Sequence, residues 1–386
     1  MDGGDGFTLR VADKLSGIDA AAWDACAGPD NPFLSYGFLS ALEDSRSVSA
    51  RTGWLPQHLL LEDGAGRLIG AVPLYLKSHS WGEYVFDQSW ADAYERAGGN
   101  YYPKLQVAVP FTPVPGPRLL VRADAPAQAA DLLIEGLVEV ATRHKVSSLH
   151  VTFPHAADWQ RLGDAGFLQR IGQQFHWTND GYASFEDFLG ALNSRKRKSI
   201  RKERRAATEG GITLRTLVGS DITPAHWDAF HRFYLSTVDR KWGGAYLTRE
   251  FFELLPARLG QKIVLVVAER DGRTIAGALN LRGSDALYGR NWGADGDYPF
   301  LHFEACYYRA IDFAIEHGLA RVEAGAQGVH KIQRGYLPSE TYSAHWIRDP
   351  GLRKAIAHFL DRERPAMRSE MAELAALSPF RKGGEA

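Results

Sequence analysis

The residue types between positions 276 and 338 are those of a chemical site. Glu323 and His330 can accept a proton, Lys331 and Arg334 can hold negative charge, and Asn291, Trp292, Glu304 and Gln327 can orient a bound polar group. Glu323 is the least ordinary of them. It falls on a strand expected to be covered on both faces, where a carboxylate has little room. A salt bridge to Arg321 or Arg290 is the competing reading of that residue. His302 and Glu304 stand two apart on a helix, too poorly spaced to share one ion, so no metal site is expected.

These residues must be positioned by a crossover unit. Strand-like runs at 274–281 and 286–292 lead into a loop, Gly293-Ala294-Asp295-Gly296-Asp297-Tyr298-Pro299. A helical run at 301–317 follows and ends at Gly318, a residue tolerant of positive φ. A strand at 320–324 then enters the glycine-bracketed turn Gly325-Ala326-Gln327-Gly328. Strand, helix and returning strand make parallel neighbours. In open α/β sheets ligands sit beyond the carboxyl ends of the strands, and a crevice is predicted there.

The chain has 386 residues, too many for one ordinary core, so two domains are expected. Apolar residues make up 45% and aromatics 11%, enough for each half to bury a core. Net charge is −1, so a nucleic-acid or membrane partner must use a local patch. Cys26 and Cys306 read as core residues rather than a disulfide, which suits a reducing compartment. The opening MDGGDGFTLR has no signal pattern, and no apolar run reaches the ~18 residues of a bilayer span. A soluble, cytoplasmic protein is expected.

The first half, 7–193, reads as strand 7–11, helices 18–26 and 33–43, strands 58–62, 68–76 and 81–87, and a short helix 91–97. Extended chain at 101–109, a Pro-rich loop 110–117, helix 127–144, strand 148–153, helix 155–163 and strand 167–177 complete it. The second half, 211–349, repeats the succession with strand 211–218, helices 224–239 and 249–259, a hairpin about Asp271-Gly272, the crossover unit and a strand near 342–346. Two copies of one fold are expected, with an amphipathic helical tail over 350–386.

The joint, 194–210, is unusual. Ser194–Arg205 reads SRKRKSIRKERR, with eight basic residues and one acid, Glu203. On a helix Arg197, Arg201 and Arg204 share one face and Lys198, Lys202 and Arg205 the next. Such a helix is either a solvated linker or a phosphate-binding element for a nucleotide, an RNA or an anionic headgroup. A second dense spot, Trp90–Lys104, offers Tyr101, Tyr102 and Lys104 beside the Pro-rich loop. It suits a sugar or peptide ligand, or an ordinary core with hydroxyls at its rim.

The runs YYPKLQVAVPFTPVPGPRLL, QQFHWTNDGY, SRKRKSIRKERR, YGRNWG, LHFEACYYRAIDFAI and EAGAQGVHKIQRGYLP resemble the bacterial FemAB-like family of peptidoglycan biosynthesis and recognition. That family is similar to the Fem transferases, which carry two GNAT acyltransferase-like domains in tandem. The fold implied is α+β with mixed sheets and two tandem GNAT-like domains, in agreement with the repeat. The activity implied is transfer of an aminoacyl group from aminoacyl-tRNA to an amine of a peptidoglycan precursor. Fem enzymes carry a lysine late in the second domain near the reacting groups, and Lys331 resembles it, although the surrounding sequence differs.

On that reading Lys331 and Arg334 supply positive charge for the oxyanion or for phosphates. Glu323 or His330 accepts the amine proton, and Asn291 and Gln327 orient the acyl carbonyl. The competing enzyme is a CoA-dependent N-acyltransferase, which cradles pyrophosphate on backbone amides before the crossover helix. The loop here has two aspartates and a proline without an N–H, which argues against acyl-CoA. A third reading is a non-catalytic binder of cell-wall precursor or RNA. No cofactor is otherwise implied, and the partners expected are tRNA and an amine acceptor.

Overall fold

The computed structural model describes residues 6–241, 244–325 and 328–381. The chain divides into two compact units, Met1–Gly172 with Glu340–Arg368, and Gln173–Ser339 with Ser369–Ala386. The division differs from the boundary near 194 read from the sequence. Strand pairing, not chain continuity, decides membership, so a segment from late in the sequence completes the first unit.

The first unit holds β1 (Thr8–Ala12), β2 (Trp54–Pro56), β3 (His58–Glu62), β4 (Leu68–Val72), β5 (Leu74–Lys77), β6 (Lys104–Val107), β7 (Leu120–Val121) and β8 (Ser148–Thr152). Strands β1, β3, β4 and β7 form one antiparallel sheet in that order. Strands β8, β6, β5 and β2 run side by side, with β6 and β8 parallel. Residues 343–347 of a late strand, β15 (Leu337–Ile347), pair antiparallel with β8. The crossover helix Ala129–Arg143 joins the parallel pair, and its Leu133, Ile134, Leu137, Val140 and Ala141 face the core. Its Gly136 lets the helix approach closely, since a Cβ there would lie 2.8 Å from Leu9.

The expected strand at 81–87 is instead an irregular loop. Glu83 and Asp87 both turn inward to meet the one Lys104 ammonium, whereas on an extended strand they would stand about 13 Å apart. Gly82 has φ 80°, and a Cβ on it would strike the Phe111 ring at 2.5 Å.

The second unit contains residues 173–178 of β9 (Leu168–Thr178), β10 (Thr213–Val218), β11 (Ile263–Arg270), β12 (Arg273–Arg282), β13 (Ala286–Ala294) and β14 (Arg321–Glu323). The order is β10-β11-β12-β13-β14-β9, antiparallel except for the parallel neighbours β13 and β14. Asp271 and Gly272 turn the β11–β12 hairpin with φ 53° and 72°, as a type I′ turn requires. The parallel pair is joined by a helix in three parts, α over Leu301–Phe303, π over Glu304–Tyr308 and α over Arg309–Glu316. Its Ala310, Ile311, Phe313 and Ala314 pack on Val322 and Leu287. Helix Pro224–Lys241 covers the opposite face so closely that a Cβ on Gly293 would sit 2.3 Å from the Phe233 carbonyl oxygen. Each unit therefore has one parallel strand pair with a crossover helix, as the repeat predicts.

Candidate functional site

Strands β13 and β14 part company soon after they meet. They pair at only three positions, Ala286 with Arg321, Leu287 with Val322 and Tyr288 with Glu323. Strand β14 ends there, while β13 runs on to Ala294. Gly289, the next residue of β13, is exposed in mid-strand. The register against β12 slips between Leu279 and Asn280, which makes Arg290 the extra residue of a bulge. A bulge bends its strand and re-aims its side chains, and bulges concentrate beside active sites. The result is an opened strand edge at the carboxyl end of a parallel pair, where the crevice is expected.

Glu323 and Lys331 stand at this opening. Glu323 is 3% exposed, and its Oε1 accepts a 2.9 Å hydrogen bond from Arg321 Nε. The competing salt bridge is thus present, with Arg321 rather than Arg290. Only one carboxylate oxygen is used, however, and the buried Oε2 has no hydrogen-bond partner among the described residues. Burial pushes the Glu323 carboxyl up to about 7, against the opposing pull of Arg321. Lys331 lies in the 3-10 turn Val329–Arg334, which follows Gly328 (φ 106°). Its Nζ donates to the carbonyls of Ala324 (2.5 Å) and Gly325 (3.1 Å), so the lysine fastens the turn that leaves β14. An ammonium has three N–H groups, and two are occupied by these contacts. Burial pulls Lys331 down to about 8. A base near neutrality and an ammonium that still carries its proton there suit acyl transfer.

The other residues of the second unit fall into two groups. His330 is exposed, and its Nε2 lies 3.1 Å from the Tyr307 hydroxyl. Burial, then the charges of Arg334 and Lys331, lower its basicity. Trp292 meets His302 edge-on at 5.4 Å, and the two help line a pocket of about 270 Å³ with Asp297, Tyr298 and Thr237. Asn291 Oδ1 is buried without a hydrogen-bond partner among the described residues. Gln327 lies outside the described residues.

Glu304, Arg204 and Arg334 are committed to the framework. Glu304 is 2% exposed, and its oxygens accept from Arg204 at 3.0 Å twice and from Arg309 at 3.0 Å. The π turn explains the pairing, because its wider coil brings residues five apart onto one face. Arg204 also bonds Asp312 at 2.6 Å. Arg334 lies 3.5 Å over the Phe303 ring and donates to the His330 carbonyl and to Glu203. Glu203, the lone acid of the basic run, also accepts from the Tyr308 hydroxyl. The basic helix Ser194–Ala207 thus turns Glu203, Arg204 and Ile200 inward. It leaves Arg195, Lys198, Arg201, Lys202 and Arg205 exposed and Arg197 half-buried, with Arg201 paired to Glu186.

The first-unit group differs from its expected binding role. Lys104 is 0% exposed, and its Nζ donates to Ser80 (2.7 Å), Glu83 (2.7 Å) and Asp87 (2.5 Å). All three N–H groups are used inside the protein, so none is left for a ligand. Tyr101 is likewise buried, its hydroxyl donating to Asp87 at 2.7 Å, and Tyr102 meets Ser80 at 2.8 Å. The dense aromatic run is a core with hydroxyls, the alternative weighed from the sequence.

His176, Arg321, Tyr307 and Asp312 were not among the sequence candidates. Arg321 carried a signal as the salt-bridge partner read for Glu323, and Glu203, also missed, as the one acid among eight bases. Among the described residues no group of three or more His, Cys, Asp or Glu side chains is placed to hold a metal ion. No helix among them is long and apolar enough to cross a membrane.

Two units, each with a parallel strand pair and its crossover helix, define a mixed α+β fold built of two similar halves. The chain belongs to the FemAB-like family, described as peptidoglycan biosynthesis/recognition, whose model matches residues 14–382. Its fold is similar to that of FemX, at 14% identity and TM-score 0.55 over 88% of this chain and 98% of that one. It is also similar to the C-terminal domain of a putative lysylphosphatidylglycerol synthetase from Agrobacterium fabrum, at 9% identity and TM-score 0.54 over 90% and 97%. L-PGS from Bacillus licheniformis matches at 11% identity and TM-score 0.53 over 89% and 97%. No curated protein matches the chain by sequence.

Proposed function

We propose that the protein transfers an aminoacyl group from an ester donor to an amine of a peptidoglycan precursor, with the chemistry at the opening between β13 and β14. The observation that carries this reading is a buried carboxylate, half-satisfied among the described residues, at the end of the strand where the parallel pair opens, with a buried ammonium fixed on the turn that leaves that strand. The acceptor amine attacks the acyl carbonyl, forming the C–N bond. The ester C–O bond breaks and the alkoxide leaves as an alcohol. Glu323 takes the amine proton, and the remaining N–H of Lys331 faces the charge that develops on the carbonyl oxygen. Lys331 also fixes the Ala324–Gly325 backbone, so the turn and the ammonium keep one geometry.

The family description supports a peptidoglycan-precursor acceptor. Five exposed cations on one helix of a chain with net charge −1 support a polyphosphate donor such as aminoacyl-tRNA. The loop before the crossover helix suits acyl-CoA poorly, since Asp297 is exposed there and Pro299 offers no N–H. The test offers labelled bulk aminoacyl-tRNA and, separately, labelled acetyl-CoA, each with a peptidoglycan precursor bearing a free amine. Label moving from tRNA to the precursor is the expected result. Transfer from acetyl-CoA alone overturns the donor, and specific precursor binding without any transfer supports the binder.

A further inference from the structure

Glu323 has a neighbour that the transfer reaction above does not use. In the β14–β9 ladder Glu323 is directly opposite His176. The unpartnered Oε2 of Glu323 lies 3.8 Å from His176 Nε2, and the same nitrogen lies 3.2 Å from Gln174 Oε1. One ring N–H therefore has two acceptors within a small rotation, an amide it now meets and a carboxylate it does not. The His176 side chain is 13% exposed while that of Glu323 is 4%, so the ring is the more accessible member of the couple.

The first unit has a cross-strand couple of its own in the corresponding ladder, in a closed form. Its parallel pair is β6 and β8, and β8 is paired with β15 as β14 is with β9. The cross-strand couple there is His150 and His345, with Nδ1 atoms 2.7 Å apart. Ser148 and Ser343 occupy the remaining nitrogens at 2.8 and 2.9 Å, and both rings are sealed from solvent. The couple in the first unit is fully satisfied, while Glu323 in the second is one hydrogen bond short among the described residues. An unmade bond at a buried carboxylate is costly unless the group changes state in use.

We propose that His176 is a positioning residue for the transfer reaction, a switchable donor that swings from Gln174 to Glu323 when Glu323 loses its proton. The proposal rests on the catalytic reading of Glu323 given above. His176 acts through Glu323 and does not touch substrate. Its ring is neutral across the working range, because burial and then the charges of Arg321 and Lys331 pull it down to about 3. The charged and titratable groups around the couple are Arg321 beside Glu323, Asp285 paired to Arg321, Tyr288 on β13 and Lys331 on the following turn. A neutral donor that engages the ionised carboxylate lowers the pH at which Glu323 becomes a base.

Two measurements test this. The first needs no turnover. In protein labelled with 15N-histidine, the His176 ring resonances are followed from pH 5 to 9. An inflection near neutral pH that disappears in Glu323→Gln is expected, because Gln cannot ionise. No inflection, or one that survives in Glu323→Gln, overturns the proposal. The second uses the aminoacyl-tRNA assay. His176→Phe removes the donor and should move the acidic limb of the kcat profile up by about one pH unit, a tenfold loss at pH 6 with little change above the limb. His176→Gln keeps an N–H near the same place and should restore most of the limb. Equal loss at all pH values in both variants overturns the proposal and leaves His176 as packing. Failure of wild type to transfer any acyl group would sink the transferase reading while the ring titration still reports on the couple.

Discussion

Replacing Lys104 with methionine should unfold the first unit more readily, and should do so unequally across pH. Methionine keeps the apolar stem and removes the ammonium that meets Ser80, Glu83 and Asp87. Breaking a buried ion pair by removing one partner costs about 3–5 kcal/mol, which for a unit of this size is a fall in Tm of about 6–20 °C. Two features soften the loss. Asp87 keeps the Tyr101 hydroxyl, and Lys77 lies 3.8 Å from Glu83. Glu83 sets the pH dependence, because burial pushes its carboxyl up to about 7. A carboxyl raised in the folded state binds its proton more tightly there than in the unfolded chain. Its contribution is therefore favourable at low pH and is lost as pH rises through about 7. In Lys104→Met the carboxyl of Glu83 rises further, and escaping its orphaned charge by taking a proton costs less at pH 5.5 than at pH 8. Urea unfolding of both proteins at the two pH values should give a larger deficit at pH 8. The double variant Lys104→Met/Asp87→Asn should recover part of it. A Lys104→Met protein as stable as wild type but unable to bind or turn over substrate would refute the reasoning and return Lys104 to a binding role.

Further outcomes follow from the second unit. Lys331→Ala should lower kcat by about 10²–10³-fold, the usual cost of one oxyanion donor, while circular dichroism shows the fold intact; unfolding at 25 °C would make the lysine structural. The wild-type rate should rise through about pH 7 as Glu323 ionises and fall through about pH 8 as Lys331 loses its proton, a bell whose acidic limb vanishes in Glu323→Gln. Arg204→Ala should destabilise the protein by less than the about 3–5 kcal/mol of a fully orphaned charge, since Arg309 remains on Glu304, and should leave tRNA affinity unchanged. Neutralising Arg195, Lys198, Lys202 and Arg205 together should leave stability alone and reduce the slope of log affinity against log salt by up to about 3–4.

What could be read from the sequence was local. The Asp271-Gly272 turn, the helix ending at Gly318 and the basic helix are encoded by neighbouring residues, and they occur where expected. The crossover unit followed from the change of period between 286 and 323. What escaped depends on partners far away. Arg204 reads as one more phosphate ligand until Glu304, 100 residues on, is found beneath it. Lys104 reads as a ligand-facing cation until Glu83 and Asp87 converge on it from an irregular loop. His176 lies in an ordinary β pattern, and only the ladder with Glu323 gives it a role. The division into compact units at residue 172 has no local signal either, since nothing near it marks where strand pairing changes.

The composition of the first unit has a consequence for how the protein is made. The His150–His345 contact joins positions 195 residues apart, and β15 completes the β8 edge of that unit. At about 5–20 residues per second of synthesis, β8 leaves the ribosome roughly 10–40 s before its partner strand exists. During that interval β8 is an open edge with unpaired backbone groups, which invites pairing with another nascent chain. No contiguous piece ending at residue 172 or 339 can supply Glu340–Arg368, so the first unit can be obtained only from the full chain or from a circular permutant that brings the late strand forward. The slow, long-range closure should make refolding yield fall with protein concentration well before it falls with denaturant carry-over.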